Sequence, residues 1–288
     1  MHITRLGSRV PGLGPEPERC AYFVSAARLL RRDEHLSVHG SSYACREHNR
    51  PRGGVALILP ETRDPRPKIR TLCSFSGGKD SCLALWRAQR AGFEVRTLLA
   101  MFDESGDRSR SHAIPLAVMQ RQADALGLDL MTRSAGWKQY ETVFVDALRE
   151  LRGLGHEVAV FGDIDLEAHR QWEERVCAAA GVRAWLPLWQ HDRRTLADEV
   201  IRSGFRAVVV CTDGRYLEDR YCGREYDAQF LADLPQSVDA CGENGEFHTL
   251  VYDGPNFRHP IEVKIAGFED HVAPPEYGGV RYRFARLV

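Results

Sequence analysis

The stretch Thr71-Leu72-Cys73-Ser74-Phe75-Ser76-Gly77-Gly78-Lys79-Asp80-Ser81-Cys82-Leu83-Ala84-Leu85-Trp86 decides the fold. Its first five residues are an apolar run that reads as a buried strand, and Cys82–Trp86 reads as the start of a helix. The glycine pair between them lets the backbone turn tightly and aim N–H groups outward. Those groups, the helix N-terminus and the Lys79 ammonium make a site for a phosphate chain, with serine hydroxyls at both ends. The spacing is neither G-x-x-x-x-G-K-[ST] nor G-x-G-x-x-G. Asp80 suits Mg²⁺ carried on a triphosphate, or simply a favourable charge in the first helical turn.

Outward from this loop the chain alternates. Strands are expected at Ile69–Phe75, Glu94–Phe102, Leu128–Thr132 and Glu157–Phe161. Helices are expected at Lys79–Ala91, from Pro115 as first helical residue to Gly127 as cap, at Tyr140–Leu151 and at Leu166–Ala180. This β-α alternation predicts an α/β fold, a parallel sheet with helices on both faces and ligands outside the carboxyl ends of its strands. After Pro187-Leu188-Trp189 the pattern becomes α+β and smaller. It holds helices Arg194–Arg202 and Tyr226–Leu234, and strands Phe205–Thr212, Ile261–Ile265 and Arg281–Leu287. A glycine-rich loop runs into a further strand over Gly242–Asp253. The expected domains are 68–186 and 187–288. Residues 1–67 carry seven of the 14 prolines and no lysine, and are read as a poorly ordered extension. An accessory arm or a transit peptide are the other readings of that segment.

The 288 residues carry 39 basic and 40 acidic side chains, a net charge of −1. That balance marks neither a nucleic-acid nor a membrane surface. No apolar run approaches the roughly 18 residues a bilayer span needs. The eight cysteines are scattered without a C-x-x-C pair, which fits free thiols in a reducing cytoplasm rather than a metal cage.

Lys79 is read as a point charge on the β- and γ-phosphates. His112, ending the polar loop 103–111, is placed for an α-phosphate or ribose, or is a loop histidine without function. Asp163, just after the fourth strand, faces the nucleotide pocket or caps the next helix. Arg170 is a solvated helix residue or an anion contact. The second cluster is Cys241-Gly242-Glu243-Asn244-Gly245-Glu246-Phe247-His248-Thr249. Its two carboxylates, Glu243 and Glu246, suit holding an ammonium ion or taking a proton from an amine. Cys241 reads as a buried thiol.

The loop resembles the SGGxDS pyrophosphate loop of ATP pyrophosphatases. From about Lys68 to Pro260 the chain resembles the diphthine–ammonia ligase (diphthamide synthetase) family of those enzymes. SFSGGKDS, His112, HRQWEERVCAAAGVRAWLPLW (169–189) and CGENGEFHTLVYDGPNF (241–257) carry the likeness. It implies a HUP-type nucleotide domain, adenine nucleotide alpha hydrolase-like, with a family-specific C-terminal domain. It further implies ATP-dependent adenylation of a diphthine-like carboxylate, release of pyrophosphate, and displacement of AMP by ammonia. Ser76, Gly77, Gly78, Lys79, Asp80 and Ser81 would then hold the phosphates, with His112 and Asp163 lining the nucleotide site. Mg²⁺ would ride on ATP at Asp80, and Lys79, Asp80, Glu243 and Glu246 would carry the chemistry. Asn244 and His248 depart from the family box, which has Gly and Glu there. The arginine- and tryptophan-rich, lysine-poor composition resembles a bacterial-type variant. A tRNA-thiolating enzyme and a non-catalytic nucleotide sensor of the same fold are the alternatives. The first calls for paired cysteines and the second for loss of the loop charges, and neither feature is present.

Overall fold

The computed structural model of the chain describes residues 69–288, apart from 111, 274 and 276–278. The expectations for residues 1–67 lie outside the described residues. Five strands form a parallel sheet in the order β3-β2-β1-β4-β5. They are β1 (Arg70–Ser74), β2 (Glu94–Phe102), β3 (Asp129–Ser134), β4 (Val158–Val160) and β5 (Arg183–Trp185). Helices α1 (Lys79–Arg90), α2 (Leu116–Leu126), α3 (Tyr140–Gly153) and α4 (Glu167–Ala180) connect them.

Alternation along the strands sorts their side chains to two faces. Cys73, Leu98, Ala100 and Phe102 pack with Leu83 of α1 and Met119 of α2. Leu72, Leu99, Met101 and Ala159 pack with Phe144 of α3 and Val176 of α4. Helices therefore cover both faces, as the alternation predicts. Gly127 and Gly181 close α2 and α4 in the left-handed conformation, at φ 68° and 70°. Pro115 stands one place earlier than expected, as the N-cap with extended ψ. Strand β5 went unread in the sequence because it has three residues, none fully buried, directly before Leu186-Pro187.

The strand order puts the switch point at β1, since the chain moves outward through β2 and β3 and then returns to β4 on the other side. Two loops meet there. One is 75–78, after β1, and the other is Phe161-Gly162-Asp163, after β4. A Cβ on Gly162 would lie 2.9 Å from the Asp80 carbonyl carbon and the Ser81 nitrogen, so only glycine admits this close approach.

A second, antiparallel sheet runs in the order β7-β6-β9-β8. Its strands are β6 (Arg206–Asp213), β7 (Phe247–Asp253), β8 (Ile265–Val272) and β9 (Arg281–Leu287), with α5 (Arg193–Arg202) and α6 (Ala228–Asp233) alongside. The expected strand at Ile261–Ile265 is not formed. Ile261 is instead buried and donates one backbone hydrogen bond to the Tyr252 carbonyl. The strand starts at Ile265 and runs through an alternately half-buried and exposed stretch with a bulge near Gly267, which disguised it. Leu250 and Val251 of β7 share one core with Cys73 and Leu83, so the second sheet packs against α1 and the loop after β1.

Candidate functional site

The loop at residues 76–79 is held by its own side chains. Gly78 N–H donates to Ser76 Oγ at 3.3 Å, and Ser81 Oγ lies 3.1 Å from Ser76 Oγ and 3.0 Å from the Gly78 carbonyl. Gly77 has φ 79°, which turns its carbonyl onto Val251 N–H at 3.0 Å and Gln122 Nε2 at 2.9 Å. A negative carbonyl is thereby removed from the place where an anion would sit. Gln122, fully buried, also donates to the Val251 carbonyl at 2.6 Å. Lys79 N–H donates to Thr249 Oγ1 at 3.1 Å. Strand β7 therefore forms one side of the phosphate loop.

Lys79 is 3 % exposed. Its Nζ donates to Asp80 Oδ2 at 2.8 Å and to the Cys241 carbonyl, and it lies 5.5 and 5.4 Å from the ring centroids of Tyr226 and Phe247. Burial alone would lower its pKa, but Asp80, Cys241 and Glu243 outweigh that and hold it charged, above the usual value. The ammonium is thus both the positive floor of the pocket and a clasp between the two sheets.

The cavity around it measures about 310 Å³. It is lined by Ser76, Lys79, Asp80, Ser81, His112, Asp163, Glu243 and His248, and also by Arg110, Tyr140 and His169. His112 touches the loop so closely that a Cβ on Gly78 would meet its Nε2 at 2.5 Å. Its ring lies 4.6 Å from that of His248, and its buried Nδ1 has no hydrogen-bond partner among the described residues. Burial first, then the neighbouring His248 and Lys79, pushes His112 well below the usual histidine range, and burial takes His248 down to about 4. Both rings are neutral donors and acceptors beside the phosphate loop.

The two glutamates expected to act together are split. Glu243 lines the cavity, and its Oε1 accepts from Ile164 N–H at 3.2 Å. Burial, then Asp163 and Asp80, holds its carboxyl well above the usual carboxylate range. Glu246 is 2 % exposed and faces its own loop, accepting from Asn244 N–H and Nδ2 at 3.0 Å and from Asp239 N–H at 3.4 Å. Asp239 braces the same loop through Glu243 N–H at 2.7 Å and Cys241 N–H at 3.1 Å. Cys241 is a buried thiol whose Sγ lies 3.0 Å from the Arg193 carbonyl, and burial pushes its pKa up. Arg170 does not line the cavity; it pairs with Glu167 at 2.8 Å and stacks on Trp189.

Arg110 escaped the sequence reading, although it sits in the polar loop at the carboxyl edge of β2. It adds a second cation to the cavity, stacked 4.3 Å from the Trp137 ring centroid and donating to the Ala135 carbonyl at 3.1 Å. His169 was missed because its neighbour Arg170 carried the more familiar anion signal. Among the described residues no three His, Cys, Asp or Glu side chains form a metal cage. Asp80 lines the cavity with its side chain 28 % exposed, and a single carboxylate is the kind of ligand that Mg²⁺ carried on a triphosphate takes.

A preformed glycine loop with a buried lysine lies at the switch point of a five-stranded parallel sheet, the place where α/β proteins of this class bind their ligands. Residues 69–184 match the diphthamide synthase N-terminal domain and residues 192–273 the diphthamide synthase C-terminal domain. The chain belongs to the diphthamide synthase family. It is 28 % identical over 236 residues to a diphthine–ammonia ligase of Bos taurus, a match covering 71 % of this chain and 86 % of that protein. A diphthine–ammonia ligase of Schizosaccharomyces pombe is 27 % identical over 227 residues, 70 % of this chain but only 37 % of that longer protein. Among solved structures, a predicted subunit of tRNA methyltransferase from Methanocaldococcus jannaschii aligns over 67 % of this chain and 100 % of its own, at 15 % identity and TM-score 0.38. That last likeness is too loose to bear on function.

Proposed function

We propose that this protein is an ATP-dependent amide ligase that adenylates the carboxylate of diphthine, a modified histidine on translation elongation factor 2, and amidates it with ammonia. The single observation that carries this is that phosphate loop and acidic box share one cavity, joined by Lys79 through Thr249 Oγ1 and the Cys241 carbonyl. The names of the relatives support the same activity.

The chain's residues divide the work. Ser76, Gly77, Gly78, Lys79 and Ser81 hold the outer phosphates, with neutral His112 beside them. Arg110, which also lines the cavity, offers a planar cation to a carboxylate or to the α-phosphate. The substrate carboxylate oxygen attacks the α-phosphorus, and the bond to the β-phosphate oxygen breaks with its electrons on pyrophosphate. Lys79 stabilises the charge that develops there. Asp80 would hold a Mg²⁺ ion carried in on the triphosphate, which would supply neutralisation of part of the same charge. Ammonia then attacks the acyl carbon and AMP leaves. Glu243, on the cavity wall, faces the amine. Residues 68–186 carry the nucleotide half and 187–288 the substrate half, acting in the cytoplasm; no helix among the described residues is long and apolar enough to cross a membrane.

The test uses ATP, ¹⁵N-ammonium and elongation factor 2 bearing diphthine. AMP and pyrophosphate are expected in equal amounts, with ¹⁵N in the modified side chain by mass spectrometry. ADP as product, or no nucleotide turnover, overturns the reading.

A further inference from the structure

The donors of the phosphate loop are largely spent within the protein. Gly78 N–H goes to Ser76 Oγ, and Ser81 Oγ turns to the Gly78 carbonyl. Lys79 Nζ is shared between Asp80 Oδ2 and the Cys241 carbonyl. Gly78, at the N-cap of α1, has no side chain to cap the helix, and the next amide, Lys79 N–H, points across to Thr249 Oγ1 on β7 at 3.1 Å. That bond uses a lone pair of the hydroxyl and leaves its proton to be donated. Thr249 is 1 % exposed and lines the cavity, and among the described residues its proton meets no acceptor. A buried donor without a partner is costly, which points to an acceptor that arrives with a ligand. The strand cannot carry the hydroxyl away. Two residues on, Val251 N–H donates to the Gly77 carbonyl at 3.0 Å, and Gln122 Nε2 bridges the Gly77 and Val251 carbonyls. A Cβ on Gly78 would lie 3.1 Å from the Thr249 carbonyl oxygen, so strand and loop are in close contact. Threonine is also stiff at χ1, which fixes where the hydroxyl sits.

We propose that Thr249 is a phosphate-binding residue: its hydroxyl, held by Lys79 N–H, donates to an oxygen of the triphosphate and of the departing pyrophosphate, so that the second sheet completes the site the loop begins. This rests on the reading of the loop as a triphosphate site and adds a ligand which that reading does not assign. The chain N–H···O–H···O–P carries the positive end of α1 one bond further into the cavity, and each link polarises the next. The hydroxyl donates without adding a charge, so it supports the phosphates without disturbing the Lys79–Asp80 pair. Because β7 belongs to the smaller domain, phosphate binding at the loop depends on the docking of that domain.

The experiment measures binding of inorganic pyrophosphate to the full-length protein by calorimetry, for wild type, Thr249→Val and Thr249→Ser, at a temperature where circular dichroism shows the proteins folded. Valine keeps the shape and removes the hydroxyl, whereas serine keeps the donor. Thr249→Val is expected to weaken binding by about tenfold or more, and Thr249→Ser by less than about threefold. Equal affinity in Thr249→Val and wild type would leave Thr249 as a cap for α1 and overturns the assignment. Tighter binding to Thr249→Val would show that the hydroxyl only holds Lys79 N–H until an anion displaces it, and overturns it too. So does a loss in Thr249→Ser as large as in Thr249→Val. A structure of wild type with pyrophosphate bound gives a check that needs no folded variant. Thr249 Oγ1 is expected within about 3.2 Å of a phosphate oxygen, and a separation beyond about 4 Å overturns the assignment. If wild type binds no pyrophosphate, the triphosphate reading of the loop fails first and this one with it. None of these readouts needs amide formation, so a failure of the ligase reading alone is seen separately.

Discussion

Replacing Lys79 by methionine tests both roles of the buried ammonium. The variant keeps most of the aliphatic stem between Tyr226 and Phe247 but removes the charge. Asp80 Oδ2 and the Cys241 carbonyl then lose their shared donor. An orphaned buried acceptor costs about 1–3 kcal/mol. Asp80 is 28 % exposed, so water recovers part of its share. The lost attraction to the two rings adds about 0.5–1 kcal/mol. The sum is about 2–4 kcal/mol, which for a folded unit of this size lowers Tm by about 5–15 °C. The sequence reading of Lys79 is a point charge on the β- and γ-phosphates; the structure adds this stability cost. Turnover is expected to fall by about 10²-fold or more, about 3 kcal/mol of transition-state stabilisation. Circular dichroism melting and AMP release at a temperature well below both transitions separate the two effects. Adding Asp80→Asn is expected to return about 1 kcal/mol of the stability, because a neutral amide tolerates the lost partner better than a carboxylate. A Tm within about 2 °C of wild type refutes the clasp, and unchanged turnover refutes the phosphate contact.

Gly162→Ala pushes a methyl against the Asp80–Ser81 backbone and is expected to cost about 1–3 kcal/mol and raise the KM for ATP, whereas a melt and a KM like wild type would show that the β4 end and the loop are not in contact. Glu243→Gln is expected to lower turnover with little change in Tm, while Glu246→Ala lowers Tm by freeing three loop donors; the reverse pattern would exchange their roles. His248 titrates near 4 when folded against an ordinary 6.5. Between those values the unfolded chain binds a proton that the folded chain does not, so stability is full above about pH 6.5 and is lost as pH falls through about 4. His248→Gln is expected to flatten that slope in urea melts at pH 4.5–7, and an unchanged slope would place the acid sensitivity elsewhere.

Much of the fold was legible because its signals are local. Glycine stops, apolar runs of strand length and one proline before a helix depend on neighbouring residues, and they located β1, β2, β9 and the helices within a few positions. The serine-glycine-lysine turn was legible for the same reason, since its backbone conformation is set within a few residues. What the sequence could not say is where distant segments meet. Nothing local tells Thr249 to accept from Lys79 N–H, Glu246 to turn inward while Glu243 faces the cavity, or Gln122 to bridge the Gly77 and Val251 carbonyls. Those outcomes follow from the order of strands around β1 and from β7 packing on the phosphate loop. They are decided by burial and hydrogen-bond satisfaction summed over both sheets, and chain position alone carries no trace of them.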